Sequence, residues 1–418
     1  MLGLPNLEKF REVVVRILIS GASIAGPVLA YWLSRYGFEV TVVERAGQLR
    51  KTGGHAVDLF RPSMEISAKM GVLPQIEALA TGTNTMTLYR EGVARPATID
   101  ITKIINAASD RHVEIMRDDL GEVYYDAGRD DVEYVFGDSI TAIAPDGQVT
   151  FERGAPRKFD VVVGADGLHS NVRRLVFGDD AGHTEFLGGY LAVISVPKML
   201  ARDGESVTHL GAGRVAMIYT AQPLDDARVV FLFRSKDELT YHYRDVSRQK
   251  ELLRAAFTGM HPRVDCWLAE VDRTPAFYFD SITQLRLDTW SRGRVALVGD
   301  AGYCPGPAVG GSTSIAVLGA YVLAGELAEA GGDYGRAFAQ YERHMGEPVR
   351  RSRAFARAAS KTIVPGSRAG VWALTRAGQL ISALPSGLTR AIAKMNTKGA
   401  RLHDSMQYKD YALVREQT

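Results

Sequence analysis

Few folds accommodate Gly21-Ala22-Ser23-Ile24-Ala25-Gly26 where it stands in this chain. The β-branched run Val13–Ser20 precedes it, and a helical pattern with Pro27 in its first turn follows. That helix is expected over Pro27–Tyr36, with Gly37 as the residue that ends it. A second apolar strand, Val40–Glu44, comes next. Strand, helix and strand fit within 32 residues, the size of one βαβ unit. Val13–Leu33 could be mistaken for a signal peptide or a membrane span, since Arg16 is its only charge. The change of character at Gly21 and Pro27 favours a strand, a turn and a helix instead.

Two further continuous apolar runs, Phe159–Ala165 and Val295–Gly299, read as buried parallel strands of the same sheet. Between them the pattern changes. Tyr190–Val196, Val215–Thr220, Arg228–Arg234 and Ala276–Leu287 are separated by turn-rich stretches, with a helix near Ser247–Met260. They indicate a mostly antiparallel sheet inserted into the first domain. Two long helices are expected over Ser312–Ala330 and Tyr334–Ser360, the second broken at Pro348. Turns at Pro365-Gly366 and Pro385-Ser386-Gly387 punctuate a helix-like C-terminal region. Arg350, Arg353, Arg357 and Lys361 recur at helical spacing and read as a solvated face.

The charge balance, 50 basic against 48 acidic residues, gives a net +2 and no case for a nucleic-acid partner. No stable membrane insertion is expected either. Cys266 and Cys304 make neither a disulfide framework nor a CxxC site, so a reducing cytoplasm is the expected compartment. No HExxH, paired CxxC or EF-hand loop appears, and no metal is expected. GxSxG and GxxxxGK[ST] are absent, which argues against an α/β-hydrolase and a P-loop nucleotidase.

Gly21 permits a tight turn and Gly26 a close helix–strand approach, as in a dinucleotide fingerprint. Backbone N–H groups at the helix start then attract a pyrophosphate. Ser23 occupies the middle glycine position, where its Cβ crowds that approach. Glu44, 23 residues after Gly21 at a strand end, can accept ribose hydroxyls, and Arg45 can stack on or bond to an adenine. Two more motifs put an aspartate at the C-terminal end of a buried strand. One is Gly164-Ala-Asp166-Gly167-Leu-His-Ser170-Asn-Val-Arg173. The other is Gly293-Arg-Val-Ala-Leu-Val-Gly299-Asp300-Ala301, which leads through Pro305, Pro307, Gly310 and Gly311 to Ser312-Thr313-Ser314. In open α/β sheets that edge binds ligands.

Together the three motifs resemble those of the group A flavin monooxygenases of the para-hydroxybenzoate hydroxylase fold, over about residues 13–360. That family includes polyketide hydroxylases and tetracycline-oxidising enzymes. The resemblance implies an α/β fold: a Rossmann-like FAD-binding domain, an inserted mostly antiparallel substrate domain and C-terminal helices. The expected segments are FAD-binding over 13–80, 104–183 and 288–345, substrate-binding over 81–103 and 184–287, and C-terminal helical over 346–418. By position, Gly21, Ser23, Ile24, Ala25 and Gly26 fall on the pyrophosphate of non-covalent FAD, and Glu44 and Arg45 on its adenosine. Arg117 falls on the flavin, Asp166 and Gly167 on the FAD and reductant loop. Arg173 is expected to hold that loop. Asp300 falls on the ribityl chain, and Gly310, Gly311, Ser312 and Thr313 beside the ring. Ser23, Gly306 and Ser312 depart from the family pattern. Tyr303 and Cys304 are expected beside the ring, Cys304 as a packing residue.

The chemistry so implied is hydroxylation of a hydrophobic aromatic, phenolic or polyketide-like small molecule through a flavin C4a-hydroperoxide. NADPH or NADH is the transient electron donor and O2 the co-substrate. No catalytic acid or base is assigned, and a monomer or homodimer is expected. Two alternatives stay open: an FAD-dependent reductase of isoprenoid double bonds, and a non-catalytic drug-binding flavoprotein. Tyr219, Phe231, Phe233, Phe277, Tyr278 and Phe279 are candidates for the substrate wall, although alternation sends half of such residues to the domain's own core.

Overall fold

In the computed structural model of the chain, the residues described are 14–49, 53–102, 111–179, 182–222, 224–242, 244–307, 311–383 and 406–412. The first strand, Arg16–Ser20, buries Ile17, Leu18 and Ile19 completely. Such runs carry no alternation because both faces of their sheet are covered. The sheet has six strands in the order Ser291–Arg292, Val295–Leu297, Val161–Gly164, Arg16–Ser20, Glu39–Glu44 and Glu133–Phe136. All pairs are parallel except the short Ser291–Arg292 edge. Three of the four expected strands occur within two residues of their predicted ends, whereas the first begins only at Arg16, with Val14 and Val15 ahead of it and Val13 outside the described residues. Glu133–Phe136 carries no comparable apolar run and was not foreseen.

The helix Ala25–Arg35 packs on the long helix Ser312–Glu329, and the Trp32 ring meets the edge of Tyr321 at 4.9 Å. Gly37 has a positive φ of 89°, as a helix-ending glycine should. Ser312–Glu329 is apolar all round because it lies inside the molecule, buried from Thr313 to Leu327.

The second sheet has seven strands, in the order Phe277–Leu285, Thr184–Pro197, Asp226–Arg234, Arg214–Tyr219, Glu205–Gly211, Thr85–Arg90 and Ala97–Asp100. Its pairs are antiparallel except Glu205–Gly211 with Thr85–Arg90. Its two faces differ. Tyr190, Phe231, Phe233 and Phe279 pack outward under the helices Val246–Phe257 and Pro262–Ala269, with Phe277 beside them. The inner face presents Leu191, Val193, Tyr219, Val230, Leu232 and Ile282, with Tyr278 at its margin. The six-residue aromatic wall is therefore corrected to two members, Tyr219 and Tyr278. Period-two alternation turns the four phenylalanines into the domain's own core.

Two other expectations are corrected. Pro348 does not break its helix, which runs 30 residues from Tyr334 to Ile363. Interior proline costs about 3 kcal/mol. Burial of Met345, Val349, Ser352 and Ala356 on one side of this helix holds it together regardless. The arginines beyond Pro348 are not a uniformly solvated face. Arg357 pairs with Glu185 at 2.8 Å, and Nε and Nη2 of Arg353 are buried beside the sheet edge carrying Gln284 and Arg286. Helix Arg368–Ala383 follows the Pro365-Gly366 turn, whereas the turn expected at 385–387 lies outside the described residues.

Candidate functional site

The parallel strands end at one edge of their sheet, and the three motifs meet there. Gly21 has a φ of 108°, and a Cβ on it would stand 2.5 Å from the Ala165 carbonyl oxygen. On Gly26 a Cβ would stand 1.9 Å from the Gly21 oxygen. No larger residue fits either place, so the turn lies flat against the strand that carries Asp166. The helix it opens has no side-chain cap and no acid in its first turn. The same holds for the helix opened by Gly311, whose φ is 82°. Ser170, Asp245, His261 and Asp333 cap the helices they precede, while Arg61–Lys69 and Leu73–Ala78 are uncapped like the two at this edge. Leaving these two helix starts uncapped keeps their N–H groups available to an anion.

Glu44 is fixed by the turn it serves. Its Oε2 accepts from the Ala22 N–H at 2.9 Å and its Oε1 from the Ala46 N–H at 2.8 Å. Each oxygen keeps a lone pair for a further donor. Arg45 is exposed just beyond. The Arg117 guanidinium donates to the Ser23 hydroxyl at 3.2 Å. The serine at the middle glycine position thus anchors the arginine of the next strand–helix junction, and Gly121 lets that helix approach the Ser23 carbonyl.

Asp166 accepts from the N–H groups of Asn171 at 2.8 Å and Val172 at 3.1 Å, and from the Ser170 hydroxyl. Burial nonetheless lifts its carboxyl above the usual range. Arg173 is fully buried and donates to the Ala301 carbonyl at 2.9 Å and to that of Leu168. It ties the Asp166 loop to the residue after Asp300. Burial also raises the Asp300 carboxyl, with the Arg117 charge and the Cys304 thiol acting against that rise. Cys304 is buried and its thiol is pushed well up by burial and by Asp300, which fits a packing role. Tyr303 is buried in a hydrogen bond from Tyr341 at 3.1 Å. Ser312 and Thr313 lie in the first turn after Gly311, and Gly310 falls outside the described residues.

One element of the site went unseen in the sequence. The turn at Gly53-Gly54-His55-Ala56 is clamped between the helix Arg117–Gly128 and the seven-stranded sheet. The Gly54 N–H donates to Asp118 at 2.7 Å, and the Gly54 carbonyl accepts from buried Arg228 at 3.0 Å. Tyr219 accepts from the Ala56 N–H at 2.7 Å, and the His55 carbonyl accepts from the Arg117 N–H at 3.1 Å. Burial and the Arg117 charge pull the His55 imidazole down to about 4, so it is neutral near pH 7. The Gly-Gly pair ahead of an apolar strand was the available signal.

Uncapped helix starts, an oriented carboxylate at one strand end and a desolvated one at another suit a dinucleotide with a charged middle and hydroxyl-bearing flanks. FAD has that shape and chemistry. Comparison with known proteins agrees. The FAD binding domain family matches residues 14–341. A flavin-dependent monooxygenase of Legionella longbeachae is 34% identical over 339 residues, covering 78% of this chain and 84% of its own. Monooxygenase CTB7 of Cercospora beticola is 33% identical and covers 88% and 92%. Among solved structures, the tetracycline destructase Tet(51) superposes with a TM-score of 0.80 at 30% identity, covering 96% of this chain and 100% of its own.

Proposed function

Because this chain belongs to the FAD binding domain family and is an FAD-dependent monooxygenase, we propose that it hydroxylates a flat, hydrophobic, oxygen-bearing aromatic or polyketide-like small molecule, with NADPH or NADH as electron donor. Bound FAD supplies the redox chemistry, taking electrons from the donor and activating O2 so that one oxygen atom enters the substrate.

The residues that hold it on this reading are those at the strand ends. The N–H groups of Ser23, Ile24, Ala25 and Gly26 meet the diphosphate, Glu44 the adenosine ribose and Asp300 the ribityl hydroxyls. Gly311, Ser312 and Thr313 would present a helix start to the flavin ring, Gly310 would precede them in the chain, and Arg117 would also approach the flavin. Asp166 and Gly167 serve through the loop they build. Segments 13–80, 104–183 and 288–345 form the cofactor side, and 81–103 and 184–287 the substrate side.

The observation that carries the substrate class is the inner face of the seven-stranded sheet. Leu191, Val193, Val230, Leu232 and Ile282 form an apolar layer that Met116, Ala356, Val364 and Val371 cover in this structure, and Tyr219, Arg228 and Tyr278 are its polar points. Such a surface takes a flat apolar ligand and orients it by a few fixed groups. It also excludes water from the reacting centre. Tetracycline-type polycyclic compounds are the first to try, given the likeness to Tet(51). The test is a panel of phenols, aromatic polyketides and tetracyclines, scored for stimulated NAD(P)H oxidation and for a product one oxygen atom heavier. Donor oxidation that no compound stimulates, or a saturated product formed equally well without oxygen, contradicts the proposal.

A further inference from the structure

Among the buried polar groups of the inner sheet face, which include Arg228 and Gln284, Asp280 is the carboxylate nearest the other domain's Asp166 loop. Asp280 sits on the strand Phe277–Leu285, on the same side as Tyr278 and Ile282, and its side chain is only 7% exposed. Oδ1 is satisfied by the Ser281 N–H at 2.9 Å. Oδ2 is shared by two titratable groups. On one side Nε2 of His169 stands 2.8 Å away, and on the other the Tyr278 hydroxyl donates at 3.4 Å. His169 belongs to the Asp166 loop of the other sheet, and its side chain is 44% exposed. Tyr278 points the other way, into the fields of Arg117, Asp300 and Cys304. The Asp280 charge also reaches Tyr190 and Tyr241 on the outer side of the sheet and helps to hold their hydroxyls above the usual range. A buried carboxylate thus joins a solvent-exposed imidazole to a phenol at the cofactor site, across the boundary between the two sheets.

We propose that His169, Asp280 and Tyr278 form a proton path from solvent to the reacting centre. The inference rests on the monooxygenase reading above. That reaction consumes substrate, O2, reduced nicotinamide and one proton, and yields hydroxylated substrate, water and oxidised nicotinamide. The hydride carries one of the two hydrogens that the released water needs, and the other must come from solvent through the protein. The path supplies it in two steps. The Tyr278 hydroxyl, which donates to Asp280 at rest, turns to the oxygen that leaves as water, and its O–H bond breaks as the proton passes there. His169 Nε2 then gives its proton to Asp280 Oδ2, that proton passes on to the Tyr278 oxygen, and solvent returns a proton to His169 Nε2. Every group ends as it began, and one proton has moved inward. Burial and Asp280 hold the Tyr278 hydroxyl well above its usual pKa, so it stays protonated between turnovers.

A structural latch between the domains is the competing account, and two measurements separate them. The first needs no turnover. Ring 15N shifts of His169 in the FAD-loaded protein should show a protonated Nε2, and Asp280→Asn should abolish that signature. An unchanged spectrum overturns the path whatever the enzyme does. The second uses the holoenzyme. His169→Ala should leave anaerobic flavin reduction intact, because hydride transfer needs no proton from this path, whereas Tyr278→Phe, which also alters the substrate face, is read only at its step with oxygen. The step with oxygen should then slow at least roughly tenfold, the low end of what a positioned proton donor supplies. Added imidazoles should restore His169→Ala in proportion to their basicity. Normal oxygen steps in both variants, or rescue that ignores the basicity of the imidazole, overturns the proposal. Failure of the wild type itself to be reduced by NAD(P)H contradicts the functional reading and leaves the 15N result to decide the path.

Discussion

The two sheets solve opposite problems. The parallel sheet is covered on both faces, and the residues proposed to hold the cofactor collect at its strand ends, where Gly21, Glu44, Asp166 and Asp300 lie next to their own strands in sequence. The antiparallel sheet packs one face under its own helices and turns the other inward, so the residues proposed to meet substrate are spread along alternate positions of several strands. Ligand chemistry concentrated at strand ends leaves compact motifs. Ligand chemistry spread over a sheet face leaves none.

Substitutions should separate the two regions. The largest loss is expected for Phe231→Ala, which empties the outer core of the antiparallel sheet under Phe257, at a ring distance of 4.9 Å. Chemical denaturation should show a loss of about 3–5 kcal/mol, while folded protein keeps its FAD affinity. Gly26→Ala comes next. Its new Cβ meets backbone that cannot yield, so about 3 kcal/mol of stability should go, and FAD with it. A variant that binds FAD normally would break the comparison at its firmest point. Arg173→Met strands the buried Leu168 and Ala301 carbonyls, each costing about 1–3 kcal/mol. It should loosen Asp166 and Asp300 together, read as a lower melting temperature that FAD only partly restores.

How legible each region was in the sequence follows from the same contrast. The four parallel strands, the helix closed by Gly37 and the meeting of the three motifs could be read because each is local. The division of Phe231, Phe233, Phe277 and Phe279 from Tyr219 and Tyr278 could not, since it depends on which face of a strand meets the other domain. The pairing of His169 with Asp280 spans 111 residues and is set by how the sheets dock. Burial of Arg353 likewise depends on a sheet edge that helical spacing does not reveal. Pro348 misled because its local cost is real but smaller than the packing of the helix around it.

Acid stability sharpens the contrast further. His209 lies buried in the antiparallel sheet between Tyr89 at 4.9 Å and His261 at 4.2 Å, and also faces Trp267 and Arg263. Burial, His261 and Arg263 lower it to about 4. The unfolded chain therefore takes up a proton near pH 6.5 that the folded protein refuses until about pH 4. This contribution to stability is full above that window and falls within it, by about 1.4 kcal/mol per pH unit at most. His209→Phe should make the melting profile shallower between these limits, with the part due to His55 remaining, and leave FAD binding at neutral pH unchanged. A profile as steep as that of the wild type would place the acid sensitivity elsewhere.

The central claim is that the strand ends bind the cofactor and the inner sheet face does not. Calorimetric titration of FAD into the apo-protein tests it directly, using wild type, Asp300→Ala and Leu232→Trp. Asp300→Ala should bind FAD roughly tenfold or more weakly, the loss of a buried hydrogen-bonding partner. Leu232→Trp should bind it as the wild type does, while its bulk blocks the apolar layer to substrate. Equal affinity in Asp300→Ala, or an equal loss in Leu232→Trp, would contradict the assignment of the two regions.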